Sequence, residues 1–464
     1  MQFLFCLICL FLYPVFSVGQ DIGKKLQAAA LAFEKDSQMR YAIYSLHVVD
    51  GKTGKLIFDK NGNTGLPPAS TQKLFTGVAA FEVLGRTYKY KTDLLYQGNI
   101  ANGTLQGNLL IRGSGDPSFG SWRFENTKQD AVLREFRNAI AGLKVRQVTG
   151  GVGLIENGWL QEDVPRGWIW EDIGNYYGAF ASSFNWRENQ FDLFLRPGKR
   201  EGDPAEIVGT EPELNKIQLT SEVTTGKVGS GDNAYIYLPP YASRGRVRGT
   251  IPPDEPRFTI SGSYPDAANQ FVFQLAQSLK NNSIQIGLPD SIVPVGDTTS
   301  MKLLSSIYSP PLDSLNFYFL RRSINLYGEA LIKTIAFEKS GIASTEKGVE
   351  LVRNFWGDHG VEKAAINIID GSGLSPQNRV TTKALVQVLQ FAKTRPWYNS
   401  FYLSLPTYNG MKMKSGSIGG ARSFAGYHTS RSGHEYIFAI IVNNYDGSPD
   451  AVIQKMYKLL DTLK

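Results

Sequence analysis

Pro67-Pro68-Ala69-Ser70-Thr71-Gln72-Lys73-Leu74-Phe75-Thr76-Gly77-Val78-Ala79-Ala80-Phe81 marks a change of texture in this 464-residue chain. Before it, Ala42 to Val49 and Gly54 to Phe58 are β-rich runs joined by Asp50-Gly51-Lys52. That is turn chemistry, so a hairpin is expected. Asn61-Gly62-Asn63 and the two prolines then break the chain. From about Ser70, the residues Leu74, Phe75, Val78 and Phe81 repeat at helical spacing, and the pattern stops near Gly85. Upstream, Lys24 to Glu34 reads as another helix.

Downstream the texture changes twice. Up to about Val295 the chain holds short β-like runs, such as Leu109-Leu110-Ile111, Phe191 to Leu195 and Tyr235 to Leu238, set between Gly, Pro, Asn and Asp clusters. From about Ser309 helical periodicity returns: Leu312 to Phe337, Lys347 to Gly357 and Thr382 to Thr394. The apolar strand Tyr436 to Val442 and a closing helix at Val452 to Leu463 follow. A β-hairpin domain interrupted by a β-rich insert and completed by helices and strands accounts for this order.

The first 19 residues carry no charge and include the apolar run Phe3 to Leu12, followed by Pro14 and the small residues Ser17-Val18-Gly19. That is the pattern of a secretory leader, and it places the body of the protein outside the cytoplasm. Both cysteines, Cys6 and Cys9, lie inside it. The mature chain would therefore have no disulfide framework, cysteine nucleophile or thiolate metal site. No metal and no cofactor are expected. The net charge of +7 fits attraction to anionic envelope polymers or lipid surfaces as well as a plain solvated basic surface. No clustered basic tract or aromatic platform argues for nucleic acid.

An acyl-transfer enzyme needs a nucleophile, a base, a proton relay and a holder for developing negative charge. Ser70 and Lys73, three apart on a helix, share one face. A buried amine beside another cation loses its proton readily and can deprotonate the hydroxyl. Ser-x-x-Lys occurs in penicillin-recognising enzymes together with Ser-x-Asn and Lys-Thr-Gly elements. Each pattern alone is weak. Ser344-Thr345-Glu346-Lys347 also fits the first, Ser183-Phe184-Asn185 and Ser314-Leu315-Asn316 the second, and Lys52-Thr53-Gly54 and Lys339-Ser340-Gly341 the third. Context selects among them. Lys52 lies in a hairpin turn, Lys339 ends a helix with ordinary Gly capping, and Ser344 lies in a link without a preceding Pro-Pro. By contrast Lys414-Ser415-Gly416-Ser417 opens a small-residue strand beside the core strand, where backbone must approach a ligand closely. Ser323-Ile324-Asn325 falls between two helical runs.

On Pro68 to Lys73, Gly113-Ser114-Gly115-Asp116-Pro117, Ser309-Pro310-Pro311-Leu312, Ser323-Ile324-Asn325, Asp370-Gly371-Ser372-Gly373-Leu374-Ser375 and Lys414 to Ser417, nearly the whole mature chain resembles the class C low-molecular-mass penicillin-binding proteins. These form the D-Ala-D-Ala carboxypeptidase/endopeptidase family. The resemblance implies an α/β (α+β) multidomain fold. Its β-lactamase/transpeptidase-like domain, an antiparallel sheet flanked by helices, would occupy 20–88 and 296–464, split by a large, mainly β insert at 89–295 of two subdomains. It implies Ser70 as nucleophile, Lys73 as its base, Ser323 as proton relay to the leaving D-alanine, and Asn325 as holder of Lys73 and the substrate amide. Lys414 and Ser415 would bind the terminal carboxylate. Gly416 and Ser417 would belong to the same substrate-binding strand, and backbone N–H groups of Ser70 and Ser417 would form the oxyanion hole.

Implied partners are peptidoglycan stem peptides, with β-lactam antibiotics as covalent inhibitors, in the periplasm or cell envelope. Peripheral membrane association and a homodimer stay open. Asp370 to Ser375 and Asp116 read as structural turns rather than catalytic elements. Three positions depart from the family pattern. Ile324 stands where Asp is common, Ser415 replaces Thr, and the connection from Leu405 to Lys414 is short, which bears on substrate preference. Four histidines without a Gly-x-Ser-x-Gly elbow disfavour a Ser-His-Asp hydrolase, and the missing His-Glu-x-x-His disfavours a zinc peptidase. A β-lactamase and a non-catalytic wall-binding protein of the same fold are the alternatives.

Overall fold

The computed structural model describes residues 17–155, 158–160, 164–296 and 299–464, with side chains from residue 21. The leader expected over 1–19 lies almost wholly outside the described residues. Among those residues no helix is long and apolar enough to cross a membrane.

The apolar run at 436–442 forms the strand Glu435–Asn443, and its burial explains why it is apolar without alternation. Tyr436, Phe438, Ile440 and Val442 face one layer of core, with Leu26, Phe33, Val452 and Met456 from the first and last helices. Ile437, Ala439 and Ile441 face a second core built from internal helices. A strand covered on both faces needs hydrophobic residues at both phases of its period-2 pleat. This strand pairs without slippage against Ile43–Asp50, from Ile43 opposite Asn443 to Asp50 opposite Tyr436. The chain's beginning and end therefore share one sheet of six antiparallel strands. Its order is Thr407–Tyr408, Met411–Ile418, Ala421–Thr429, Glu435–Asn443, Ile43–Asp50 and Leu56–Lys60.

Beneath the sheet lies Lys73–Leu84, every residue of which is buried from Lys73 to Phe81. A helix apolar all round belongs in a core. It packs on Asn325–Ser340, itself buried from Asn325 to Ala336.

The middle of the chain forms its own sheets. Five strands run in the order Gln285–Val293, Gln147–Leu154, Thr104–Arg112, Lys91–Ala101 and Lys302–Tyr308. Nested within that span are two three-stranded sheets, one of Gln190–Arg196, Glu206–Glu211 and Phe258–Ser263, the other of Gln218–Thr225, Asn233–Tyr237 and Arg244–Ile251. Two helices, Gln129–Gly142 and Ala267–Lys280, also belong here, with Phe136 and Phe271 meeting edge to face. The boundary drawn at 295/296 falls inside this region, because Lys302–Tyr308 pairs with Lys91–Ala101. A strand pairing so remote in sequence leaves no mark in local composition. The short connection after Leu405 is a two-residue hairpin. Tyr408 faces Met411 across Asn409 and Gly410, both at positive φ.

Candidate active site

The turn before the central helix is where the sequence motifs meet. Ala69–Gln72 forms one 3-10 turn that runs directly into Lys73–Leu84. Ala69 is held at φ 48°, a left-handed conformation that costs a residue with a Cβ of order 1–3 kcal/mol and persists only where neighbours impose it. The neighbours are visible. The Ser423 hydroxyl donates to the Pro68 carbonyl at 2.5 Å, and so does Thr71 Oγ1 at 2.7 Å. A Cβ on Gly416 would lie 2.6 Å from the Pro68 carbonyl oxygen and 2.9 Å from the Ser70 nitrogen. The strand Met411–Ile418 thus approaches the turn so closely that only glycine fits, as the small-residue pattern led us to expect.

Lys73, fully buried, donates to three acceptors: Ser70 Oγ at 2.8 Å, Asn325 Oδ1 at 2.6 Å and the Ser372 carbonyl at 2.7 Å. Asn325 begins its helix, and its amide Nδ2 donates to the Tyr177 carbonyl of the insert at 2.7 Å. That bond fixes which end of the amide faces Lys73. Two residues earlier, Ser323 sits at φ 59° and its Oγ accepts from Lys414 Nζ at 2.9 Å. Lys414 also donates to the Ser415 carbonyl. Ser70, Lys73, Ser323, Asn325 and Lys414 are therefore linked by direct bonds in two short chains, on three stretches remote in sequence. Ser70 and Ser323 are half-buried and Ser417 is exposed, so the hydroxyls line the open side while both lysines lie beneath. Ser415 is half-buried on the same strand.

Electrostatics follow from this burial. Desolvation pulls the Lys73 amine down to about 7, against the opposing pull of Asp370 and Glu329, which favour its charged form. Desolvation and then the neighbouring Lys73 hold Lys414 well below the ordinary lysine range. Glu329, wholly buried on the Asn325–Ser340 helix, is pushed up to about 7 by desolvation and by Asp370, while Lys73 and the Gly371 N–H pull it back. Its two oxygens accept from the Gly371 N–H at 3.2 and 3.0 Å.

The decoy motifs are occupied otherwise. Ser344 Oγ caps its helix by accepting from the Lys347 N–H. Asp50 takes the backbone of Lys52 and Thr53 into a turn. Lys339 precedes Gly341 at φ 74°.

The model of the D-Ala-D-Ala carboxypeptidase 3 (S13) family matches residues 26–463. The chain belongs to that family. A D-alanyl-D-alanine carboxypeptidase from Actinomadura sp. is 26% identical over 454 residues, covering 91% of this chain and 82% of the relative. The D-alanyl-D-alanine carboxypeptidase DacB of Haemophilus influenzae is 26% identical over 416 residues, covering 84% and 83%. Among solved structures, penicillin binding protein 4 (dacB) of Haemophilus influenzae superposes with a TM-score of 0.77 at 21% identity, over 96% of this chain and 99% of that one. The fold of this S13 chain is accordingly the α/β arrangement of sheets and helices expected from the resemblance.

Two contributors to the site, Glu329 and Tyr177, escaped the sequence reading, and a third, Asp370, was read only as part of a turn. Glu329 was findable, since it lies four residues after Asn325 and so on the same helical face. Asp370 reads correctly as a turn residue, but its role reaches further. Its buried carboxylate accepts from Gln72 Nε2, Trp168 Nε1, Asn378 Nδ2 and the Gly373 and Ser375 N–H groups. The turn so fixed presents the Ser372 carbonyl to Lys73. Tyr177 contributes only a backbone oxygen, which no side-chain motif can announce.

Proposed function

We propose that this S13 chain is an exported serine D-Ala-D-Ala carboxypeptidase of peptidoglycan stem peptides. It acts through a Ser70 acyl-enzyme and is inhibited by β-lactams. The observation that carries the reading is the 2.8 Å bond between Lys73 Nζ and Ser70 Oγ, with the amine wholly buried and held near neutrality. A neutral amine there takes the hydroxyl proton as Ser70 Oγ attacks the carbonyl carbon of the penultimate D-alanine. The tetrahedral oxyanion lies against backbone N–H groups of Ser70 and Ser417, donors worth about 3 kcal/mol each in such sites. As the peptide C–N bond breaks, Ser323 passes its hydroxyl proton to the leaving nitrogen and takes one back from the Lys73 ammonium, which returns to the free amine. Free D-alanine departs, and water then attacks the ester, giving its proton to Lys73, which hands it to Ser70 Oγ as the shortened peptide leaves. Lys414 and Ser415 hold the terminal carboxylate. Endopeptidase cleavage of cross-bridges uses the same chemistry on a longer leaving group.

A β-lactam carbonyl enters the same acylation step, and penicillin binding protein 4 (dacB) from Haemophilus influenzae has been crystallised in complex with a novel beta-lactam. The test is covalent labelling by a fluorescent penicillin. Wild-type protein is expected to retain the label stably, and Ser70→Ala to take none. An unlabelled wild type overturns the reading, and rapid loss of label points to a β-lactamase instead.

A further inference from the structure

One sheet of the insert turns an unusual face to solvent. On Arg244–Ile251 the side chains alternate, with Val247 and Ile251 buried and Arg244, Arg246 and Arg248 exposed. Register places Arg246 between Thr220 and Tyr237, Arg248 between Glu222 and Tyr235, and Arg244 beside Gln218. Three guanidinium groups therefore stand in one row. Glu222 pairs with Arg248 at 2.6 Å and reaches Arg246 at 3.5 Å. Among the described residues, Arg244 has no ion-pair partner. The row is walled on one side by aromatics. The Trp170 ring, half exposed, stands 6.0 Å from that of Tyr237. Trp170, Tyr237, Thr220 and the three arginines line a groove of about 650 Å³.

The groove is tied to the active site by a short stretch of chain. Asn175 Oδ1 accepts from the Ile236 N–H of this sheet, and two residues later the Tyr177 carbonyl holds the Asn325 amide. Trp170 leads the same stretch.

Exposed basic strands are ordinary, but this one combines features that solvation does not require. All three cations are Arg, whose planar fork matches a carboxylate or phosphate bidentately. The row lies in a concavity, and flat amphipathic rings form its wall, where the apolar faces of sugar rings can lie. A bare phosphate polymer would not use the rings, and a bilayer surface would call for protruding apolar tips. We propose that this groove seats a carboxylate-bearing amino-sugar strand of the wall polymer, with Arg244 and Arg246 on carboxylates and Trp170 and Tyr237 against sugar faces. The proposal rests on the reading of the chain as a wall-peptide hydrolase, for which the groove supplies a second hold outside the peptide cleft.

The experiment uses the full chain carrying Ser70→Ala, so that nothing is cleaved, and co-sedimentation with glycan strands stripped of their peptides, whose lactyl carboxylates are free. Adding Arg244→Gln and Arg246→Gln leaves Glu222 paired with Arg248. This is expected to weaken binding about tenfold or more, as loss of charge-assisted contacts should. Trp170→Ala is expected to weaken it as well, and reduction of the glycan carboxylates to alcohols should abolish the difference between parent and double variant. Melting temperature confirms that each variant is folded. Failure of the parent to bind, unchanged binding by the folded double variant, or equal binding of a glycerol phosphate polymer or phosphatidylglycerol vesicles overturns the proposal. D-Alanine release by the wild type is scored separately. A chain that releases D-alanine but ignores glycan sinks this proposal alone, and one that binds glycan but releases nothing sinks the hydrolase reading.

Discussion

The same four-residue pattern occurs twice in this chain and comes to opposite ends. At Ser70 the preceding residue is forced into a left-handed turn, the serine is left half-buried, and the lysine three residues on is sealed under it. At Ser344 the hydroxyl is used as an N-cap, and Lys347 lies on the surface, bonded to Glu350 at 2.9 and 3.0 Å. Spacing is identical, so spacing alone does not set a hydroxyl against a buried amine. What differs is desolvation of the amine and the acceptors around it. Burial of the Lys73 amine among an amide, a carbonyl and a hydroxyl pulls it down to about 7, where it can serve as a base.

Replacing each lysine by methionine gives the widest separation. Lys73→Met is expected to slow D-alanine release by about 10²- to 10⁴-fold, the usual worth of a general base, with Lys347→Met unchanged. Equal losses would break the contrast. Next comes pH. Only the neutral amine of Lys73 accepts a proton, so acylation should climb as pH rises through about 7 and then level off. Glu329 favours the charged amine, so Glu329→Gln should move that rise toward acid, while Glu350→Gln beside Lys347 should not move it. Penicillin-labelling rates against pH give the answer, and an unmoved profile in Glu329→Gln would detach that carboxylate from Lys73. The smallest effect belongs to the second serine. Ser344→Ala removes a helix cap and should cost about 1 kcal/mol in urea unfolding with labelling per folded molecule intact.

Much of this could be read from residue order. The hairpin at 43–60, the helix after Ser70 and the core strand at 435–443 declare themselves through periodicity, because one or both faces of each are buried and burial selects apolar residues. The five candidate side chains could be picked because acyl transfer needs particular groups and their context excluded the copies. The insert resisted. Lys302–Tyr308 joins its sheet through backbone pairing across some two hundred residues, and its side chains, exposed or half-buried apart from Ile307, carry no sign of that partner. The helix Gln129–Gly142 buries only Val132, Phe136 and Ile140, too thin a stripe to stand out among β-like neighbours. Tyr177 acts through its carbonyl, which every residue possesses.

The pairing of Glu435–Asn443 with Ile43–Asp50 has a consequence for biosynthesis. Lys414 hangs on a strand whose place in the sheet depends on that late partner, so a fragment that stops before Glu435 lacks the strand joining Lys414's side of the sheet to Ile43–Asp50. The arrangement around Ser70 is thus complete only once Glu435–Asn443 has paired with Ile43–Asp50.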